Sequence, residues 1–468
     1  MENKRVSPWI ALIPVIFLIG SLYYAIQIVE ASPHIPLFTS AIVAALVGMF
    51  VLKVKWSEIE EGIVDTIKMS MGAIIILMII GMVIGTWILS GVVPTMIFYG
   101  LKILSPKIFL LATLLMCSIV SLATGSSWTT AGTVGIALMG IGMSLNIPAP
   151  VIGGAIISGA YFGDKMSPLS DTTNLSPAMA GAKLFDHIRH MIYTTGPSYV
   201  IAAILFIVVG MGYSSDSLDL TLINQINDGL AMDFNLSIWL LLVPVITIGI
   251  VVMKVPAIPG LFGGAIIGGI AAMMFQGANL GDVVNAMHYG YESATGIEFV
   301  DSLLTRGGLD SMMWTVSLII CAMAFGGVME KTGMLEALAG VILGFAKTTG
   351  LLVLSTIVTA FGMNVLAGDQ YLSIVIPGRM FKKAFDERGL APRNLSRVLE
   401  DSGTLTSPLI PWNTCGAFMI ATLGLAPWTY VPYCFLNLIN PIVSIFYGFT
   451  GITMMKLEDD PSYEGNKA

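Results

Sequence analysis

Apolar segments recur along the chain at 9–29, 35–52, 69–90, 107–123, 129–145, 149–163, 196–213, 236–253, 256–275, 311–329, 351–367, 370–381 and 427–450. Many approach the roughly 20 residues that an α-helix needs to cross a bilayer. Two shorter, mixed stretches, 92–104 and 334–346, read as amphipathic connectors lying at the membrane interface. The polar stretch 214–235 separates two halves. Residues 456–468 mix charge with Pro, Gly and Asn and are expected to be disordered. The pattern divides the chain into a first transmembrane repeat (1–213), a polar extracytoplasmic connection (214–235), a second transmembrane repeat (236–455) and a cytoplasmic tail (456–468).

Composition turns this pattern into a class. The 468 residues are 56% hydrophobic and only 11% charged, against about 25% charged in a soluble domain. So few charges cannot cover a soluble surface, so lipid is the solvent. The expected fold is an all-α polytopic membrane protein. A net charge of −7 offers no basic patch for nucleic acid. Cys117, Cys321, Cys415 and Cys434 lie in apolar sequence without a CxxC pair and read as small buried hydrophobes. His187 and His190, three apart in a polar connection, read as a solvated face. Lys4 and Arg5 precede the run 9–29, which is long enough to span and lacks a small-residue cleavage site. It is expected to remain as the first crossing.

Orientation follows from Lys and Arg. The connection 214–235 has neither and should face outside, whereas Lys382, Lys383, Arg388, Arg393 and Arg397 should face the cytoplasm. Lys53, Lys55, Lys183 and Arg189 also read as inside, and both termini are then cytoplasmic. Lys102 and Lys107 run against this scheme. The scheme requires 107–123 with 129–145, and 351–367 with 370–381, to form re-entrant-type hairpins entering from opposite sides. A repeat at an offset of about 240 residues supports it. Gly85 and Ser90-Gly91 match Gly327 and Thr332-Gly333; Thr124-Gly125 matches Ala367-Gly368; Ser167-Pro168-Leu169 matches Ser407-Pro408-Leu409. An odd number of crossings per copy makes the repeats inverted, as in many secondary transporters. The spacings Gly81/Gly85, Gly264/Gly268 and Gly340/Gly344 fit close helix packing.

The chemistry concentrates in the stretch from Gly163 to Asn174, which interrupts apolar sequence. Gly and Pro weaken a continuous helix there, and backbone freed at depth must find partners. Asp164 and Asp171 supply titratable carboxylates; Ser167, Thr172, Thr173 and Asn174 supply neutral oxygens suited to a hard cation. Lys165 reads as a charge-tuning partner for an Asp. Each such charge near a bilayer centre costs roughly 2.5–3.5 kcal/mol on the insertion scale, so these groups are expected to line a pathway. The second copy, Asp401 to Thr414, keeps the Ser-Pro break with Ser407, Asn413 and Thr414 but has no acid where Asp171 stands. Titration is therefore assigned mainly to the first half. The hairpin tips add Ser126 and Ser127 in one copy and Asp369 in the other.

These residues also resemble a known family. The run Gly163 to Asn174 is similar to the signature of NhaC-type sodium/proton antiporters, as is Gly81-Met82-Val83-Ile84-Gly85-Thr86-Trp87-Ile88-Leu89-Ser90-Gly91, followed by Pro94 and Tyr99-Gly100-Leu101. The resemblance runs through most of the chain to the motif near Pro408. It implies sodium/proton exchange in a bacterial plasma (inner) membrane, within an ion transporter superfamily of inverted repeats and hairpins. It also implies relatives that exchange malate and lactate, or carry amino acids, with sodium or proton coupling. For such an organic acid, Lys165 and Arg379 are the candidate contacts. The leading expectation is alternating access at a mid-membrane carboxylate site, with the bilayer, sodium and protons as partners and no cofactor. The chain is not expected to be an enzyme. An intramembrane aspartyl protease using Asp164 and Asp369 is the remote alternative, since no GxGD motif is present.

Overall fold

The computed structural model describes residues 6–29, 31–103, 105–213, 220–253 and 255–460. Among them the chain is helical throughout, apart from two isolated β-bridges. The first half runs α1 (Pro8–Tyr23), α2 (His34–Leu46), α3 (Trp56–Leu89), α4 (Val92–Ile103), α5 (Pro106–Thr124), α6 (Ser127–Thr130), α7 (Ile136–Ser144), α8 (Ala149–Met166), α9 (Asp171–Ala180) and α10 (Leu184–Met211). Then come α11 (Leu220–Asp233), α12 (Leu242–Val252), α13 (Ala257–Phe275), α14 (Leu280–Tyr289) and α15 (Glu298–Leu304). The second half continues with α16 (Met313–Lys331), α17 (Met334–Gly344), α18 (Thr349–Leu366), α19 (Gln370–Asp386), α20 (Pro392–Leu399), α21 (Thr414–Leu423) and α22 (Phe435–Thr450). Eight of the described helices are long and apolar enough to cross a membrane. Large apolar side chains such as Trp9, Ile16, Ile119 and Trp239 point outward, as lipid-facing residues do.

The order of elements repeats. A long helix, a left-handed glycine, a short helix, a helix ending at a glycine tip, a returning helix, a broken helix and a final helix run from α3 to α10. The same sequence runs from α16 to α22. The glycines at corresponding places share their backbone: φ is 78° at Gly91 and 74° at Gly333, 70° at Gly125 and 67° at Gly368. The two leading helices pack antiparallel. Glu61, near the start of α3, meets Lys331 at 2.8 Å. Ser70 donates to Met323 Sδ at 2.9 Å, and the Gly81 carbonyl accepts from Gly308 N at 2.7 Å, just before α16. Gly333 thus lies with Val6 and the start of α3, whereas Gly91 lies at its far end against Gln276.

Several expectations need correction. The break after α8 is narrower than the polar stretch suggests: the helix continues through Asp164 and Lys165 to Met166, leaving only residues 167–170 outside it. Gly159 and Gly163 make this possible by seating α8 directly on the backbone of α5 at Leu114 and Ser121. In the second copy helical turns run through Glu400–Thr404, which forms a π-helical turn, and the break covers residues 407–413. The run 427–450 is not one span, because residues 427–430 are turns, Val431–Tyr433 is a short 3-10 helix and α22 starts at Phe435. His187 and His190 are buried, not solvated. They meet Ser396 Oγ at 2.8 Å and Asn394 Oδ1 at 3.2 Å. The start of the tail is docked: Asp460 is buried against Arg393, and Lys456 bridges to Leu390. Residues 461–468, like 214–219 in the connection, lie outside the described residues; 220–233 form α11. Gly81 and Gly85 pack within the chain on Gly308 and Ala286, and Gly264 accepts from Trp87 Nε1. A side chain added at Gly340 or Gly344 would meet nothing within 4 Å of its Cβ, so no close packing forms there.

Candidate functional site

The site is made where helices stop inside the protein. Each tip turns on a left-handed glycine, and the next helix is capped by a side chain. Ser126 Oγ accepts from Thr129 N at 3.1 Å. Asp369 Oδ1 accepts from Tyr371 N at 2.8 Å and Leu372 N at 3.1 Å. The breaks carry their own caps. Ser170 takes Thr173 N at the start of α9, and Asn413 Oδ1 takes Cys415 N at 3.0 Å at the start of α21. Each tip docks on the break of its own half. Gly125 lies against Leu169 and Ser170, and the Gly368 carbonyl accepts from Thr414 N at 2.9 Å. Around the tips the halves also meet: Trp128 stacks on Phe418 with centroids 4.0 Å apart, and the Tyr371 hydroxyl donates to Asp171.

These tips and breaks enclose a cavity of about 540 Å³. Asp164, Asp171 and Asp369 line it, together with Ser126, Ser127, Gln370, Tyr371 and Thr414; Met69, Ser70 and Ala73 of α3 form one wall. Among the described lining residues there is no Lys or Arg. Asp164 is buried, accepting from Ser127 Oγ at 2.6 Å on Oδ2 and from Ser170 Oγ at 2.8 Å on Oδ1. Asp369 is also buried, while Asp171, at the first turn of α9, is exposed. Carboxylates at helix N-termini are held by free N–H groups and the helix dipole. Three acids facing one small cavity repel one another and attract cations or protons.

The remaining sequence candidates sit beside the cavity and hold its frame. Ser167 Oγ donates to Leu122 O at 2.8 Å. Thr173 Oγ1 donates to the carbonyls of Asp164 and Lys165 at 2.8 and 2.9 Å. Asn174 Nδ2 donates to Pro168 O and Ser170 O. Ser407 Oγ donates to Thr404 O at 2.7 Å, and Asn413 Nδ2 to Asn364 Oδ1 at 2.9 Å. These bonds take up carbonyls that the interruptions free. Thr172 Oγ1 turns to Glu400 at 3.0 Å. Arg379 is exposed and does not line the cavity.

Lys165 faces the other half: its ammonium lies 2.5 Å from Asp401 Oδ1, with both side chains fully buried. Thr194 Oγ1 and Asn440 Nδ2 donate to the same oxygen at 2.9 and 2.6 Å. Glu400, also buried, accepts from Thr172 and from Ser176 Oγ at 2.5 Å. The second half therefore brings three acids to the centre, Asp369, Glu400 and Asp401. Assigning the titratable acids mainly to the first half undercounts them. The available signal was the pair Glu400-Asp401, two adjacent acids six residues before Ser407-Pro408.

Comparison with known proteins identifies the kin of this arrangement. The model of the Na+/H+ antiporter family matches residues 159–452, a span that contains Asp164, Asp171, Asp369 and both breaks. The chain belongs to the Na+/H+ antiporter family. Within this antiporter family, a Na(+)/H(+) antiporter NhaC of Alkalihalophilus pseudofirmus is 42% identical over 430 residues, 92% of each chain. A malate-2H(+)/Na(+)-lactate antiporter of Bacillus subtilis is 40% identical over 89% of each chain. An arginine/ornithine antiporter of Halobacterium salinarum is 38% identical over 99% of this chain and 96% of its own. All three relatives are transporters.

Proposed function

We propose that this chain exchanges sodium for protons across a bacterial plasma membrane, by alternating access to the cavity between the tips. One observation carries the reading: three carboxylates from both halves face the cavity, and no cationic side chain is among its described lining residues. A carboxylate that holds either sodium or a proton, but not both, couples release of one to binding of the other. Asp164, Asp171 and Asp369 are the exchanging acids in this reading, with Ser126, Ser127 and Thr414 as neutral oxygens. Lys165 is neutralised by Asp401, and Arg379 is remote, so neither is placed to meet an organic anion. A second cavity, of about 1120 Å³, lies along the same face of α3. Met69 lines both cavities, and Asp65, Glu330 and Glu336 line the second. In this reading the second cavity is the cation's approach to the site. The antiparallel α3 and α16, with matched tips and breaks, support an inverted duplication whose two states alternate in exposing the site.

The test uses purified protein in liposomes containing no organic solute. A sodium gradient should drive proton movement, read with a trapped pH dye. Adding malate, lactate or arginine should not be needed. An absolute requirement for any of these would replace cation exchange with organic-solute exchange.

A further inference from the structure

The strongest unassigned feature is a line of hydrogen bonds leaving the cavity. Ser170 Oγ donates to Asp164 Oδ1 at 2.8 Å. Ser170 Oγ and Thr172 Oγ1 are 3.1 Å apart. Thr172 Oγ1 donates to Glu400 Oε1 at 3.0 Å. All four side chains are buried, and the line crosses from the first half to the second. The outer oxygens at its ends are already occupied, Asp164 Oδ2 by Ser127 and Glu400 Oε2 by Ser176. We propose that Glu400 is a second proton-holding residue, connected to Asp164 through Ser170 and Thr172, and that the two carboxyls share one proton. This rests on the sodium/proton reading for its purpose but not for its geometry.

The count of protons makes the argument. The line has three links, and its two hydroxyls supply only two hydrogens. With both carboxylates ionised, those hydrogens point outward to the acids. The two hydroxyl oxygens then face each other with no proton between them, a buried contact that costs free energy. One added proton completes every link. Placed on Glu400 Oε1, it donates to Thr172, which donates to Ser170, which donates to ionised Asp164. Placed on Asp164 Oδ1, the chain runs the other way and leaves Glu400 ionised. Conversion between the two breaks three O–H bonds and forms three, with no atom gained or lost, and carries one positive charge between the acids. The first arrangement leaves Asp164 open to sodium; the second closes it. Chains of acids and hydroxyls of this kind serve as proton relays inside membranes.

The surrounding charges are compatible with one proton. Lys165 and Asp164, on α8, are the charged groups that act on Glu400; α9 carries Asp171, bonded to Tyr371, and α20 carries Arg393, paired with Asp460, and Arg397, beside Asp401. Asp369 stands at the start of α19, whose Arg379, Lys382, Lys383 and Asp386 lie toward its other end, and Asp401 is the chain neighbour. α18 and α22 contribute no charged residue. Lys165 is paired to Asp401, leaving Glu400 with its two hydroxyl donors.

The experiment separates proton movement from sodium binding, using the full chain in liposomes. Glu400→Gln and Thr172→Val should lose sodium-driven proton movement by on the order of tenfold or more. Sodium-for-sodium isotope exchange, which releases no proton, should persist. Thr172→Ser should restore proton movement, because only the hydroxyl is needed. Wild-type proton movement in Thr172→Val, equal impairment in Thr172→Ser, or joint loss of both exchange modes in Thr172→Val would overturn the relay. A wild-type protein without sodium-driven proton movement would sink the sodium/proton reading instead. Infrared spectroscopy then judges the relay alone. A protonated-carboxyl band should be present in wild type and altered in both Thr172→Val and Glu400→Gln; a band indifferent to both substitutions refutes the proposal.

Discussion

Lys165 illustrates why a residue's neighbour in sequence need not be its partner. It follows Asp164 directly, yet its ammonium is neutralised by Asp401 of the other half. Removing one partner of a buried pair leaves an uncompensated charge, at a cost of about 3–5 kcal/mol. Lys165→Met should therefore unfold at markedly lower temperature or denaturant than wild type in detergent. Adding Asp401→Asn should recover only part of the loss, because buried Arg397, 4.0 Å from the other Asp401 oxygen, then loses its carboxylate. A double variant no more stable than Lys165→Met would show that the pair is not the source. Transport gives a second residue-scale expectation. Asp164→Asn should insert normally but lose sodium-driven proton movement in liposomes, because an amide keeps an oxygen and cannot exchange a proton near neutral pH. Asp164 and Asp171 were legible because two acids stand among hydroxyls in an apolar stretch. Glu400 was not, because its donor Ser176 is 224 positions away in the chain.

At the scale of elements, the helix breaks were legible and their lengths were not. Gly, Ser and Pro announce that a helix stops, but the turns on either side are decided by packing. α8 runs three residues past Gly163, to Met166, because Gly159 and Gly163 let it lie against α5. The tips depend on glycine in a stricter way. At φ 70° a side chain costs about 1–2 kcal/mol from backbone strain alone. On Gly125 a Cβ would also stand 2.6 Å from the Leu169 carbonyl carbon. Gly125→Ala should push the tip off the break and abolish transport while the protein still reaches the membrane. Gly263→Ala, within α13 and with nothing within 4 Å, should be tolerated, with helix propensity shifting by about 0.5–1 kcal/mol in its favour. Liposome flux and thermal unfolding of the two variants side by side check the contrast. Equal flux would mean that the tip is not fixed by its glycine.

For the whole molecule, alternation depends on which ends of the helices share a side. α3 has 34 residues and is about 51 Å long at 1.5 Å per residue, more than the hydrocarbon core of about 30 Å. Its two ends therefore belong to opposite faces. Val6 and Gly333 lie at the starting end, where Lys331 meets Glu61. Asn235 and Gln276 gather on Ser90 at the other. The corresponding glycines Gly91 and Gly333 are thus at opposite ends of one helix, which is the relation an inverted duplication requires. The Lys and Arg distribution offers an expected sign for each face, but pairwise motif matches could not supply the antiparallel packing. Together they predict that a cysteine at Gln225 labels only from outside. One at Lys383, whose side chain is exposed, should label only from the cytoplasm. The background for both would lack Cys117, Cys321, Cys415 and Cys434. Intact cells and inverted vesicles with a membrane-impermeant thiol reagent would read both sides. Labelling of the two positions from the same side would leave the matched tips and breaks standing but remove the inverted arrangement, and with it the alternation built on it.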